Sequence, residues 1–220
     1  MANFFELPRY IAIEGPIRVG KSTLARIVAQ QMNAQLIVER EDNKFLKPFY
    51  EGEPGAGFQA QFEFLISRYE QLGAMNHDPK ARVVADYIFE KDKLFACINL
   101  NDAELEVYNR YYNHFRRQLP SPDLVIYLQA SPEVLKKRLL KKNAPGEAGV
   151  SEDYIEEVHK AYEHFFFHYT ASDLLVVNTN DIDFVDRSDD LKELLRRLNE
   201  PIKGTQYYLP LSGGESAASA

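Results

Sequence analysis

The chain has 220 residues, 45% of them hydrophobic and 27% charged, and carries a formal net charge of −7. That length suits one α/β domain whose core needs no disulfides, and the composition excludes a collagen-like, wholly disordered or disulfide-built protein. The acidic balance argues against long nucleic acid as a partner, since backbone phosphates call for a basic face, but small anions can still be held by local cations.

In chain order, the opening MANFFELPRY lacks the basic-then-apolar layout of a secretory signal. No apolar run approaches the roughly 20 residues of a membrane span, so a cytoplasmic protein with no membrane partner is expected. Tyr10–Glu14 is an apolar run that stops at Gly15 and reads as a buried strand. From Ser22 to Met32, Leu24, Ile27, Val28 and Met32 recur at helical spacing. Leu36–Val38 is a second strand, ending at Glu39. Residues 58–75 form an amphipathic helix carrying Phe58, Phe62, Leu65, Ile66, Tyr69 and Leu72.

Arg82–Asp86 is a third strand with an acidic end, and helical patterns run from 92 to 119. Within them lies Cys97, the one cysteine, which excludes an internal disulfide and is expected as a small buried apolar residue. Asp123–Leu128 is a fourth strand, and Ser131-Pro132-Glu133 opens a helix with a good cap and a proline at its first position. NAPGEAGV, residues 143–150, is a flexible break. A helix from Ser151 to about Tyr169, a fifth strand at Leu174–Val177 and a helix over about 188–199 complete the pattern. Strands alternating with helices mean a five-stranded parallel sheet covered on both faces. The domain is expected over 1–202, with 203–220, rich in glycine, serine and alanine, as a disordered tail.

The strand-to-helix junction carries the strongest signal. Gly15-Pro16-Ile17-Arg18-Val19-Gly20-Lys21-Ser22 matches G-x-x-x-x-G-K-[ST], with a strand before it and a helix after it. Glycines let backbone N–H groups wrap a phosphate chain, and the helix N-terminus adds a favourable dipole. Lys21 supplies a point charge to the β- and γ-phosphates, Ser22 a hydroxyl for Mg²⁺, and Thr23 follows in the first helical turn. This is a nucleoside triphosphate site, in a P-loop NTPase fold of three layers.

Such a loop serves switches, ATPases, kinases and nucleotide sensors alike. An Asp-x-x-Gly switch is absent, and Asn178-Thr179-Asn180-Asp181 lacks the lysine of a guanine reader, which counts against a GTPase. A kinase needs a base for the acceptor hydroxyl and cations that close over the transferred group. Glu39 sits at a strand C-terminus, the ligand side of a parallel sheet, and reads either as that base or as a solvated strand end. Asp86, at the same edge, is placed to hold Mg²⁺ through water. Arg138, Lys141 and Lys142 precede the flexible break, either as a solvated helix end or as a short lid over about 138–150.

Taken together these residues resemble the deoxynucleoside kinases of the deoxycytidine/deoxyguanosine kinase type, their bacterial members above all, from Tyr10 to about Leu198. The resemblance implies that Tyr50 contacts the sugar 3′-hydroxyl, that Gln61 reads the base edge and that Arg68 faces the base. The seven-residue spacing of Gln61 and Arg68 puts both on one helix face, which suits joint work on a ligand and equally a polar stripe. The resemblance further implies that Glu39 is the catalytic carboxylate and that Asp92 contacts the base. The family's Glu-Arg-Ser signature appears here as Asp86-Tyr87-Ile88, without the arginine. Arg138 and Lys142 fall on lid positions, where Ala144 replaces a third cation, and Glu147 matches an acidic lid residue at the 3′-hydroxyl. Asp183-Phe184 matches the loop along the adenine of ATP. A homodimer and a role in deoxynucleoside salvage follow from the same resemblance.

Other constellations carry less. His164 and His168 stand four apart around Phe165, Phe166 and Phe167 and read as aromatic packing, and no Gly-x-Ser-x-Gly elbow is present. The expectation is therefore ATP-dependent phosphorylation of the 5′-hydroxyl of deoxynucleosides, purines favoured, with Mg²⁺. A thymidylate-kinase-type monophosphate kinase and a non-catalytic nucleotide-binding module are the alternatives.

Overall fold

A computed structural model describes residues 8–75, 78, 80–142, 151–184 and 187–210. Its strands are β1 (Tyr10–Glu14), β2 (Gln35–Ile37), β3 (Val83–Ala85), β4 (Leu124–Gln129), β5 (Asp173–Asn178) and β6 (Thr205–Tyr208). Around them lie α1 (Lys21–Met32), α2 (Leu46–Tyr50), α3 (Ala56–Gly73), α4 (Lys91–Asn99), α5 (Asp102–Arg116), α6 (Pro132–Lys142), α7 (Glu152–Phe167) and α8 (Ser188–Leu198). Among the described residues no helix is long and apolar enough to cross a membrane.

The strands form one parallel sheet in the order β2-β3-β1-β4-β5-β6. Every residue of β1 is buried, as expected for a strand covered on both faces. Alternate residues serve opposite layers. Tyr10 and Ala12 pack with Leu65 of α3, Leu94 of α4, Tyr108 of α5 and Tyr162 of α7. Ile11 and Ile13 pack with Leu24 of α1, Leu135 of α6 and Leu194 of α8. β1 runs between β3 and β4; the chain leaves β1 toward the β2 edge and leaves β3 toward β4 on the other side, so the C-terminal ends of β1 and β3 open a crevice at the topological switch point.

Two expectations are corrected. The sheet has six strands, because Thr205–Tyr208, assigned to a tail on composition, pairs in parallel with β5 from Leu174↔Thr205 to Val177↔Tyr208. Thr-Gln-Tyr-Tyr is a β-prone run. Gly204, at φ 63, turns the chain into it while its N–H donates to Asp173 Oδ1 at 2.8 Å. Glycine, serine and alanine concentrate farther on, and 211–220 lie outside the described residues. Cys97 is exposed rather than buried, since α4 turns Leu94 and Ala96 inward and leaves position 97 on its outer face.

Candidate functional site

The glycine-rich loop joins β1 to α1 at the centre of the sheet. Its two motif glycines are sterically required. A Cβ on Gly15 would lie 2.4 Å from the Leu128 carbonyl oxygen, and one on Gly20, at φ 108, would lie 2.7 Å from the Phe184 ring. Arg18 holds φ 62, a left-handed conformation unusual for a side-chain-bearing residue. Lys21 curls back over the loop, its Nζ donating to the carbonyls of Gly15 at 2.7 Å and Pro16 at 3.0 Å. Burial, and then the neighbouring Lys91 charge, bring its pKa down to about 8.

Behind the loop stands Glu14, 0% exposed. Its Oε1 accepts the Gly15 N–H at 2.8 Å and the Tyr162 hydroxyl at 3.0 Å, and its Oε2 accepts the Ile88 N–H at 3.0 Å. One carboxylate thus ties the start of the loop to α7 and to the turn after β3. Sequence reasoning passed over Glu14, although a charged residue in a strand buried on both faces is itself a signal.

Beside the loop lies a cavity of about 460 Å³, within the usual range for a small-molecule site. Pro16, Ile17 and Arg18 contribute to its wall, and Lys21, Glu39, Tyr50, Gln61, Arg68 and Lys91 bring the chemistry. Glu39 follows β2 and is fixed through its backbone. Its N–H donates to Asp86 Oδ1 at 2.8 Å, while Asp86 Oδ2 accepts the Ser22 hydroxyl. Asp86 therefore couples the phosphate loop to Glu39 directly.

Two cations grip the Glu39 side chain. Arg68 donates to Oε1 through Nε at 2.8 Å and through Nη2, and Lys91 Nζ donates to Oε2 at 2.8 Å. Burial pushes the Glu39 carboxyl up, but the Arg68 and Lys91 charges outweigh it and hold the group well below the usual carboxylate range. Burial likewise works against the Arg68 charge, and Glu39 and Asp92 more than restore it.

Asp92 differs from its expected role. It is 0% exposed, behind the cavity wall rather than in it. It receives Gln61 Nε2 at 2.7 Å on Oδ1 and 3.0 Å on its carbonyl, together with Arg68 Nη1 and the Tyr108 hydroxyl. Both amide protons of Gln61 are directed to Asp92, which leaves Gln61 Oε1, an acceptor, for anything in the cavity. Burial and then the Asp92 charge push the Tyr108 hydroxyl up, so it stays a donor.

Other expected residues sit on the framework. Phe184 is 3% exposed, with its ring against Gly20, so it props the loop from behind instead of offering a face to a ligand. The N–H of Asp183 donates to Asp190 Oδ2 at 2.8 Å. Arg138, expected in a lid, points inward from α6. It donates to the carbonyls of Val19 at 3.4 Å, Thr179 at 2.7 Å and Ile182 at 3.2 Å, clamping the phosphate loop to the segment after β5. Gly15, Val19, Gly20, Ser22 and Thr23 shape the loop without lining the cavity. Lys141 and Lys142 close α6, and Ala144, Glu147 and the rest of the expected lid from 143 lie outside the described residues.

Tyr87, standing where the resemblance expects an arginine, is buried, and its hydroxyl donates to Gln71 Oε1 at 3.2 Å. Gln71 Nε2 in turn donates to the carbonyl of Val38 at 2.8 Å, bracing the backbone next to Glu39. Lys91 went unnoticed in the sequence because it stands beside Asp92 at a helix start, where a lysine reads as solvated.

For a metal, Ser22 and Asp86 place a hydroxyl and a carboxylate oxygen side by side at the phosphate loop. These are hard donors, and two of them suit a magnesium that takes its other ligands from phosphates and water.

The family model for deoxynucleoside kinases matches residues 11–203. A deoxyguanosine kinase from Bacillus subtilis is 34% identical over 201 residues, which cover 88% of this chain and 97% of that protein. A deoxyadenosine kinase from Dictyostelium discoideum is 29% identical over 210 residues, 93% of this chain and 85% of that one. In fold, the chain superposes on a deoxyadenosine kinase from M. mycoides with bound dATP at a TM-score of 0.72 and 24% identity, covering 87% of this chain and all of the other. Sequence and architecture agree from β1 to the approach of β6, and the chain belongs to the deoxynucleoside kinase family.

Proposed function

We propose that this kinase transfers the γ-phosphoryl group of ATP to the 5′-hydroxyl of a deoxynucleoside held in the cavity, purine deoxynucleosides being favoured. The observation that carries the reading is the shared use of Asp86. One carboxylate holds Ser22 of the phosphate loop and the backbone of Glu39, so donor site and base are set in one rigid unit. Loop amides and Lys21 take the triphosphate. Ser22 and Asp86 are the residues that would hold Mg²⁺, which when bound neutralises charge on the phosphate oxygens.

Glu39 accepts the proton of the 5′-hydroxyl as its oxygen forms the bond to phosphorus and the bond to the ADP oxygen breaks. The transition state is loose and the proton leaves late, so orientation of the hydroxyl matters more than the strength of the base. This accommodates a carboxylate as acidic as Glu39. Gln61 and Arg68 address the base, one as acceptor and the other as donor, with Asp92 setting both from behind. Tyr50 and Glu147 serve the sugar 3′-hydroxyl, Lys142 brings charge to the transferring group, and Asp183 borders the adenine. Arg138 is reassigned from the reacting phosphate to the frame of the ATP site.

The purine preference draws support from the names of two relatives, a deoxyguanosine kinase and a deoxyadenosine kinase. A homodimer in the cytoplasm completes the reading. Exposed Ile66 of α3 and Val107 and Tyr111 of α5 favour such pairing, and light scattering that returned a monomer would remove it.

The test is ADP release from Mg·ATP with each deoxynucleoside, ribonucleoside and nucleoside monophosphate as acceptor. Turnover with deoxynucleosides, purines first, is expected. Turnover with monophosphates alone would make this a monophosphate kinase, and ATP binding without acceptor-dependent turnover a binding module. Glu39→Gln should lower kcat by about 10²–10⁴-fold with ATP affinity retained. Near-wild-type turnover in that variant would remove Glu39 as the base.

A further inference from the structure

The two oxygens of Glu39 are not equivalent. A carboxylate oxygen has two lone pairs in its plane. Oε1 lies against one edge of the Arg68 guanidinium and takes two of its donors, Nε at 2.8 Å and Nη2. Oε2 accepts Lys91 Nζ at 2.8 Å, which leaves it one lone pair. Glu39 and Lys91 both line the cavity.

We infer that Lys91 is a positioning residue which selects Oε2 of Glu39 as the proton acceptor and turns its free lone pair to the 5′-hydroxyl. The inference rests on the kinase reading above and adds to it a residue that reading does not need. Lys91 is suited to the task by where its backbone is tied. It opens α4, and its N–H donates to the carbonyl of Ile88 at 3.3 Å. The N–H of the same Ile88 is bound by Glu14, the carboxylate that also holds Gly15. The ammonium is therefore placed relative to the phosphate loop, not only relative to its own helix.

The side chain has little freedom to leave. It is 8% exposed, and its Nζ stands over an aromatic face, 5.9 Å from the centre of the Phe95 ring. No proton passes through Lys91. It donates one hydrogen bond to Glu39 throughout.

The test compares Lys91→Met, Lys91→Gln and Lys91→Arg with wild type in steady-state kinetics, with urea midpoints recorded for each. A fall in kcat of about 10²–10³-fold, the usual order for loss of a preorganised charged donor, is expected for the Met and Gln variants, with KM for ATP and for the deoxynucleoside unchanged. Arg, which keeps a charged donor, should regain much of the loss. Two neutral variants are used so that poor folding of one leaves the comparison intact.

The second measurement is a cycle with Glu39→Gln. If Lys91 acts through Glu39, adding Lys91→Met to Glu39→Gln costs nothing further. Additive losses would overturn the inference, as would a Met variant with wild-type kcat or a loss confined to KM. A wild-type protein without deoxynucleoside-dependent turnover would instead overturn the kinase reading. Active wild type with an equally active Met variant overturns the role of Lys91 alone.

Discussion

Replacing Asp92 by asparagine keeps the shape of the side chain and removes its charge, at a position with no access to solvent. Asp92 serves three donors at once, Gln61 Nε2, the Tyr108 hydroxyl and Arg68 Nη1. An asparagine has one oxygen. If that oxygen stays with Gln61 and Tyr108, the new NH₂ faces the Arg68 guanidinium, donor against donor. The reverse orientation sets it against two neutral donors instead.

Either way one charge-assisted bond is lost, worth about 1.5–3 kcal/mol, and a buried donor goes without a partner. Breaking a buried pair outright costs about 3–5 kcal/mol, but Arg68 keeps Glu39, so the loss should settle at about 2–4 kcal/mol. In a chain of this size that is a fall in Tm of roughly 5–15 °C.

The kinetic consequence is more telling than the thermal one. With the Gln61 amide no longer held by a carboxylate, KM for the deoxynucleoside should rise about tenfold or more while KM for ATP holds, since the phosphate loop does not touch Asp92. Urea unfolding followed by circular dichroism gives the first quantity, and initial rates at varied nucleoside and varied ATP give the second. A variant within about 1 kcal/mol of wild type with an unaltered nucleoside KM would refute the view that Asp92 organises the base end from behind the wall.

Two further outcomes follow from placements that differ from expectation. Arg138→Met should raise KM for ATP by about 10–100-fold with kcat preserved, because it removes charged donors that bind Val19 to Thr179 and Ile182. A fall in kcat at constant KM would return Arg138 to the transferring phosphate. For β6, a chain ending at Lys203 should be less stable than one ending at Pro210 by about 1–3 kcal/mol, net of the chain entropy released, since the pairing with β5 goes with it. Equal thermal midpoints for the two would contradict a sixth strand.

What the sequence made legible has a common character. The phosphate loop is contiguous, and each of its residues acts within a few bonds of the next, so spacing alone carries the chemistry. Glu39 was legible because strand C-termini share one edge of a parallel sheet, which fixes a neighbourhood without any contact being known. Asp92 and Phe184 were expected to face a ligand, and the structure sets both behind the surface they were expected to form. A position in the chain does not say whether a side chain forms the wall or stands behind it; that depends on Gln61 and Gly20, residues far away in sequence, having already taken the space. Lys91 was invisible for a related reason. Its meaning comes from the buried carboxylate of Glu39, fifty-odd positions distant along the chain, and nothing local distinguishes it from a solvated lysine. The strand β6 was hidden by averaging, a four-residue run with three β-prone members placed ahead of a stretch rich in glycine, serine and alanine.

Glu14 gives the phosphate loop a dependence that its own motif does not contain. The loop is usually thought of as a portable device, complete in eight residues. Here its first amide shares a carboxylate with Tyr162, in the middle of α7, and with Ile88, on the route to Lys91. Transplanting the loop together with Glu14 into another sheet would leave that residue a buried charge stripped of two of these three donors. A change on α7 that displaced the Tyr162 hydroxyl would reach the triphosphate site without touching it. Variation in α7 is thus constrained by phosphate binding, and a search for second-site suppressors of loop defects would do well to begin on that helix.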